Sequence, residues 1–171
     1  MTLWDKIQGF EFHHFEPLEN NPLLEPFASL VLVWRSKFDG KRVPKWSDFD
    51  FTDFRGWHSR IAIHDVSYDP FSYRIRLSGE EYNQVIGMNA KGLTMEQFKS
   101  IALEDELADE FYEKTCSEML LAYTKGINII DRVHVDVEFL ELPLSDNGIH
   151  ATHTIEAVVA LRSNDYAMAD Q

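Results

Sequence analysis

The sequence predicts an α+β fold: an antiparallel sheet with short helices on one face and an N-terminal helical cap. Three observations carry this. IAIHDV (61–66) and SYRIRLSG (72–79) alternate in polarity on either side of Asp69-Pro70, the pattern of a strand pair joined by a turn. From Glu80 to Tyr123, apolar residues recur at helical spacing. Alternation then returns from Val133 to Phe139 and from Ile155 to Leu161, with Asp146-Asn147-Gly148 as the turn between them.

Taken in order, residues 1–28 read as an aromatic, acidic arm or short strand followed by a loop. Pro17, Pro22 and Pro26 remove backbone donors there and favour extended chain before them. Phe10, Phe12 and Phe15 in this arm pack on the domain or meet a partner. Pro26 opens a helix whose stripe is Leu30, Val33, Trp34 and Phe38, with Gly40 closing it. Asp50 or Thr52 caps a short helix through Trp57.

In the first strand Ile61 and Ile63 face one way, and Ala62, His64 and Val66 the other. In the second, Tyr73, Ile75 and Leu77 oppose Ser72, Arg74 and Arg76. Glu80–Ile86 is a short helix stopped by Gly87. Gly92 closes another turn, and Thr94 caps MEQF. ALEDELADEFYEKTCSEMLLAY is the clearest helix, stopped by Gly126, with its acidic residues early, where the helix dipole favours them. Pro143 ends the following strand ladder. On the last strand Val158 and Ala160 make the outer face partly apolar, so the N-terminal segment or a second subunit should cover it. The domain spans 29–163, and 164–171 is a frayed tail.

Composition bounds the role. A length of 171 residues suits one domain with a core, and 44% hydrophobic content is that of a globular chain. Sixteen basic against 29 acidic residues leave a net charge of −13, which argues against nucleic acid or an anionic membrane as partner. One cysteine, Cys116, allows no internal disulfide. The N-terminal residues show no continuous apolar signal region, and no apolar run is long enough to span a membrane. A cytoplasmic location is expected.

Catalytic chemistry finds little footing. His13-His14, or His134 with Asp136 and His150 across strands, are the candidate metal ligands. None has the spacing of a known site, and no metal is expected. Cys116 reads as a small buried hydrophobe, and the acidic cluster 104–110 as solvated. GMNAKG lacks a phosphate-binding glycine pattern, although Lys91 could face an anion. Arg74 and Arg76 pair with internal acids or with a partner. A pocket between sheet and helices would be walled by Ile63, Tyr73, Ile75, Leu77, Tyr82, Ile86, Phe98, Phe111 and Val135, with His58, Tyr82 and Asn83 as polar handles.

The order of elements resembles the PAS fold and, more narrowly, a divergent bacterial PAS-like family common in alphaproteobacteria. The matching pieces are Trp34 in LVLVWRSKFDGKRVPKWSDFD, the pair IAIHDV and FSYRIRLSGEEYNQVIGMNAKG, and FLELPLSDNG, spanning about residues 29–161. Arg74, Arg76 and Gly79 resemble the family's arginine-rich second strand and terminal glycine, and Gly87 and Gly92 its later glycines. Glu80 departs from the small hydroxyl residue usual there.

The resemblance carries over no catalytic residue. It implies a stand-alone sensory or protein-interaction domain of bacterial signalling, a homodimer that acts through a protein partner. PAS domains bind haem, flavin, small metabolites or nothing. Cys116 lies outside any flavin-attachment motif and no histidine is placed as a haem ligand, so neither cofactor is expected. A small organic metabolite is compatible. The alternatives are a small-molecule-binding enzyme with an enclosed cavity, using His58 with Asp65 or Tyr82, and a structural adaptor that binds through Phe10, Phe12, Phe15 and the acidic helix.

Overall fold

The computed structural model describes residues 11–102, 106–130 and 133–161. Six antiparallel strands form one sheet: β1 (Glu11–Phe15), β2 (Ile61–Ser67), β3 (Ser72–Ser78), β4 (Leu121–Ile130), β5 (Val133–Leu144) and β6 (His153–Leu161), in the spatial order β1-β4-β5-β6-β2-β3. A hairpin, a helical crossover and a three-stranded meander that returns beside the hairpin make a PAS-like arrangement. Among the described residues no helix is long and apolar enough to cross a membrane.

Strand alternation divides the buried residues between two faces. On one face Leu140, Leu142, Leu144, Ile155, Ala157, Ile61 and Ile63 pack under the N-terminal cap. The cap consists of a 3-10 turn (Pro22–Phe27), helix α1 (Ala28–Ser36) and further short 3-10 turns before β2. Trp34 anchors it: the ring is fully buried and its Nε1 donates to the Pro143 carbonyl at 3.0 Å. On the other face Ala62, Tyr73, Ile75, Val135, Val137 and Val158 pack with Tyr82 and Val85 of α2 (Glu80–Ile86) and with Phe98 of α3 (Met95–Ala102). Helix α4 (Glu106–Glu118) lies on this side too, its Phe111 meeting Phe12 edge-on at 5.0 Å between centroids.

Several elements follow the sequence pattern closely. Gly87 ends α2 with φ of 89°, a left-handed value that glycine adopts without strain. Thr94 and Gln97 cap α3 reciprocally: Thr94 N–H donates to Gln97 Oε1 at 3.0 Å, and Gln97 N–H to Thr94 Oγ1 at 3.4 Å.

Others depart from it. The long acidic helix stops at Glu118. Met119 turns left-handed at φ of 55°, and Leu121 begins β4, so Gly126 sits inside a strand opposite Val137 rather than ending a helix. LLAY satisfies both periods, and pairing with β1 and β5 decides for strand. Pro143 does not end its ladder; it pairs with Thr154. Pairing of β5 with β4 has stopped at Glu141, so the missing donor faces an edge. Residues 50–60 form two separate short 3-10 turns, Phe51–Phe54 with Asp50 at its N-cap and then His58–Arg60, not one helix through Trp57.

The arm is part of the sheet in its described portion. Phe12 and Phe15 are buried and so belong to the interior; Phe10 lies outside the described residues, as does the tail 164–171. The face carrying Val158 and Ala160 is covered by α2 and α3 of the same chain. Val158 is buried and the half-buried Ala160 packs against the same cluster, so most of this apolar surface is already used within the chain.

Gly79 joins β3 to α2 where the backbone passes tightly over the turn before β2. A Cβ there would overlap the backbone carbonyls of His58 and Ser59. Gly79→Ala should cost about 1–3 kcal/mol, read as a lower urea midpoint at unchanged slope. Leu32→Ala, at an exposed site on α1, should change stability by less than about 0.5 kcal/mol.

Candidate functional site

The face under α2 and α3 carries an unusual set of side chains for a small apolar cluster. Glu141 on β5 and Glu156 on β6 stand directly opposite each other in register, and His64 on the neighbouring β2 pairs with Thr154 of β6. All three are deeply buried: His64 is 3% exposed, and Glu141 and Glu156 are 4% exposed. His64 Nδ1 lies 3.1 Å from Glu141 Oε1, and its Nε2 lies 3.4 Å from Glu156 Oε2. Thr154 donates its hydroxyl to the same Glu141 oxygen. Tyr73 stacks on the imidazole, with centroids 5.0 Å apart.

The cluster is incompletely satisfied. His64 Nε2, Glu141 Oε2 and the Tyr82 hydroxyl are buried and make no hydrogen bond of ordinary geometry. Such groups cost free energy, roughly 1–3 kcal/mol each and more when charged. Burial alone would raise Glu141. The charge of His64 and the hydrogen bonds from His64 and Thr154 outweigh that and hold its carboxyl below the usual range. Burial, and then the negative charge of Glu156, push the Tyr82 phenol well above its ordinary value, so it remains a neutral donor. Burial, reinforced by Glu141 and Glu113, likewise pushes the Cys116 thiol up, which keeps it unreactive.

The expected pocket walls do not surround one cavity. The hairpin register shifts between Ile63 and His64: Ile63 faces Leu77, whereas His64 faces Ile75. Arg76 is therefore the extra residue of a β-bulge, which breaks the alternation of β3 and sends Leu77 to the opposite face from Tyr73 and Ile75. Tyr73, Ile75, Tyr82, Ile86, Phe98 and Val135 meet on the helical face. His58, Ile63 and Leu77 instead line a cleft of about 290 Å³ on the cap face, beside Trp46, Phe51 and Phe54. Phe51 stacks on His58 at 3.9 Å and Leu77 is 45% exposed, so this cleft is apolar and open. Asn83 Oδ1 accepts from the Ala90 backbone, closing the turn after α2. Phe111 of α4 stacks on His14 of β1 and belongs to neither group.

Arg76 grips Asp65 in bidentate fashion, Nη2 to Oδ1 at 2.9 Å and Nε to Oδ2 at 3.1 Å, while Arg74 is exposed. Among the described residues, the histidines singled out as ligands do not gather. His13 and His14 point to opposite faces of β1, the first toward Tyr123 and the second toward Thr115. His150 lies against Tyr68, and the side chain of His134 lies outside the described residues.

Sequence spacing does not join His64, Glu141 and Glu156. A signal was nonetheless available: if Val158 and Ala160 make a covered face, the carboxylates at 141 and 156 on that face are buried and need a partner.

No protein-family model matches the chain, and no curated protein matches it. The solved structures similar to it include the following two. One is an RNA-binding light-oxygen-voltage receptor, 14% identical, with a TM-score of 0.49 over 95% of this chain; the chain spans 40% of that receptor's length. The other is the PAS domain from Bordetella pertussis BvgS, 14% identical, with a TM-score of 0.48 over 67% of this chain and 85% of that one.

His14 supplies a test of the packing beside this site. Burial, helped by Lys114, lowers its pKa from 6.5 to about 4 against a raising contact with the Phe111 backbone. As pH falls, the unfolded chain takes the proton first. The contribution of neutral His14 is therefore whole above pH 6.5 and is lost progressively toward pH 4. Urea denaturation across that window should show a loss of stability that His14→Phe reduces. An identical loss in the variant would refute the assignment.

Proposed function

We propose that the chain is a PAS-like sensory or protein-interaction module of bacterial signalling, without catalytic activity of its own, and that the His64–Glu141–Glu156 cluster is its sensing element. The observation that carries this reading is a buried, incompletely satisfied polar cluster lying beneath the helices of a PAS-like sheet. Apolar residues at such positions are often as stable or more so, which makes the cluster a poor device for stability alone. Its burial gives an organic substrate no access to the carboxylates, which favours sensing over turnover.

A change in the charge or occupancy of the cluster alters its fit against Tyr82 on α2 and Tyr73 on β3, the latter packed beside Phe98 of α3. The helical layer then shifts between states that a partner protein or a second copy of the chain reads.

Hydrogen exchange on the metal-free protein tests this. Glu141→Gln and Glu156→Gln each remove one charge from the sheet side. Either should change amide protection of Glu80–Ile86 and Met95–Ala102 by at least severalfold and leave Ala28–Ser36 on the opposite face unchanged. Equal changes on both faces, or none on either, would refute a sensing role for the cluster.

A further inference from the structure

We infer that His64, Glu141 and Glu156 form a binding site for one divalent first-row transition-metal ion, of the Zn2+ or Mn2+ type. This rests on the sensory reading above and names its ligand. One donor atom from each residue lies within 4.8 Å of the other two, and all three residues are buried. The 3.4 Å between His64 Nε2 and Glu156 Oε2 is longer than a good hydrogen bond. It matches the separation of about 3.4 Å between two donors that share a tetrahedral ion at about 2.1 Å.

The unpartnered atoms point the same way. Nε2 of His64 and Oε2 of Glu141 are atoms of ligand type held in the interior without hydrogen bonds, and an ion takes the imidazole in its neutral form. A neutral imidazole, two carboxylates and a divalent cation sum to zero charge, which removes the cost of two like charges facing each other across β5 and β6. One nitrogen and two carboxylate oxygens make a mixed donor set, suited to zinc, manganese or ferrous ions rather than to copper(I) or calcium.

The ligands come from three adjacent strands of the sheet, so the site is rigid on one side. On the other it is covered by the helical segment bearing Tyr82, while Tyr73 of β3 stacks on the imidazole from within the sheet. The ion reaches it when that layer opens, and its arrival holds the layer shut. This couples occupancy to the helices.

The chain is stripped with a chelator and titrated with Zn2+, Mn2+, Co2+ and Mg2+ by calorimetry and thermal denaturation. One ion per chain is expected, with Zn2+, Co2+ or Mn2+ at micromolar affinity or better, Mg2+ at least tenfold weaker, and a raised melting temperature. His64→Gln, Glu141→Gln and Glu156→Gln should each weaken binding at least tenfold, while Glu11→Gln on β1 leaves it unchanged. If those variants fail to fold, the visible absorption of Co2+ on the wild-type chain decides: bands of a four- or five-coordinate nitrogen–oxygen site are expected.

Absence of saturable binding below millimolar concentration, a purely six-coordinate Co2+ spectrum, or unchanged affinity in Glu156→Gln would overturn the site. The sensory reading fails separately. If no metal binds yet the exchange response on metal-free protein holds, the metal falls and the sensor stands. Binding without that response leaves a structural ion in a domain that does not sense through this cluster.

Discussion

Two carboxylates placed face to face inside a sheet are the constraint around which this fold is arranged. Glu141 and Glu156 are direct neighbours across β5 and β6, on a face covered by the chain's own helices. Like charges so placed repel, and burial strengthens the repulsion. His64 relieves it because β2 lies against β6 and brings the imidazole alongside both carboxylates. The β-bulge helps to place it. With Arg76 as the extra residue, His64 faces Ile75 and its ring stacks on Tyr73.

The two faces of the sheet do different work. The cap face is apolar and large, with Phe27, Leu30 and Trp34 wholly buried against the meander, and it supplies most of the hydrophobic stabilisation. The helical face has a smaller apolar cluster that includes two short helices, α2 and α3, and surrounds polar groups with unmet hydrogen bonds. Regions of this kind open at lower free energy than the main core. A layer that moves easily, resting on a cluster sensitive to charge, is what a sensing role requires.

Much of this architecture was legible in the sequence. Alternation located β2, β3, β6 and most of β5, and the glycine at 87 marked the end of α2 with its left-handed turn. The helix–strand boundary at Glu118 was not legible, because Leu121 to Tyr123 suits either period and only pairing with β1 and β5 chooses. The bulge at Arg76 was hidden as well, since SYRIRLSG alternates without a break while its backbone does not. That one residue separated Leu77 from Tyr73 and Ile75 and divided the expected pocket between two faces. The polar cluster was hidden by distance along the chain, as His64 and Glu141 are 77 residues apart.

The central claim is that His64, Glu141 and Glu156 act as one electrostatic unit. Stability measurements on His64→Phe, Glu141→Leu, Glu156→Leu and the triple variant test it most directly, by denaturant unfolding of metal-free protein. His64→Phe alone leaves two buried carboxylates uncompensated and should cost about 3–5 kcal/mol, while the triple variant, with all three replaced by apolar side chains, should cost far less than the sum of the single changes. A triple variant whose cost equals that sum to within about 0.5 kcal/mol would show three independent residues and contradict the account.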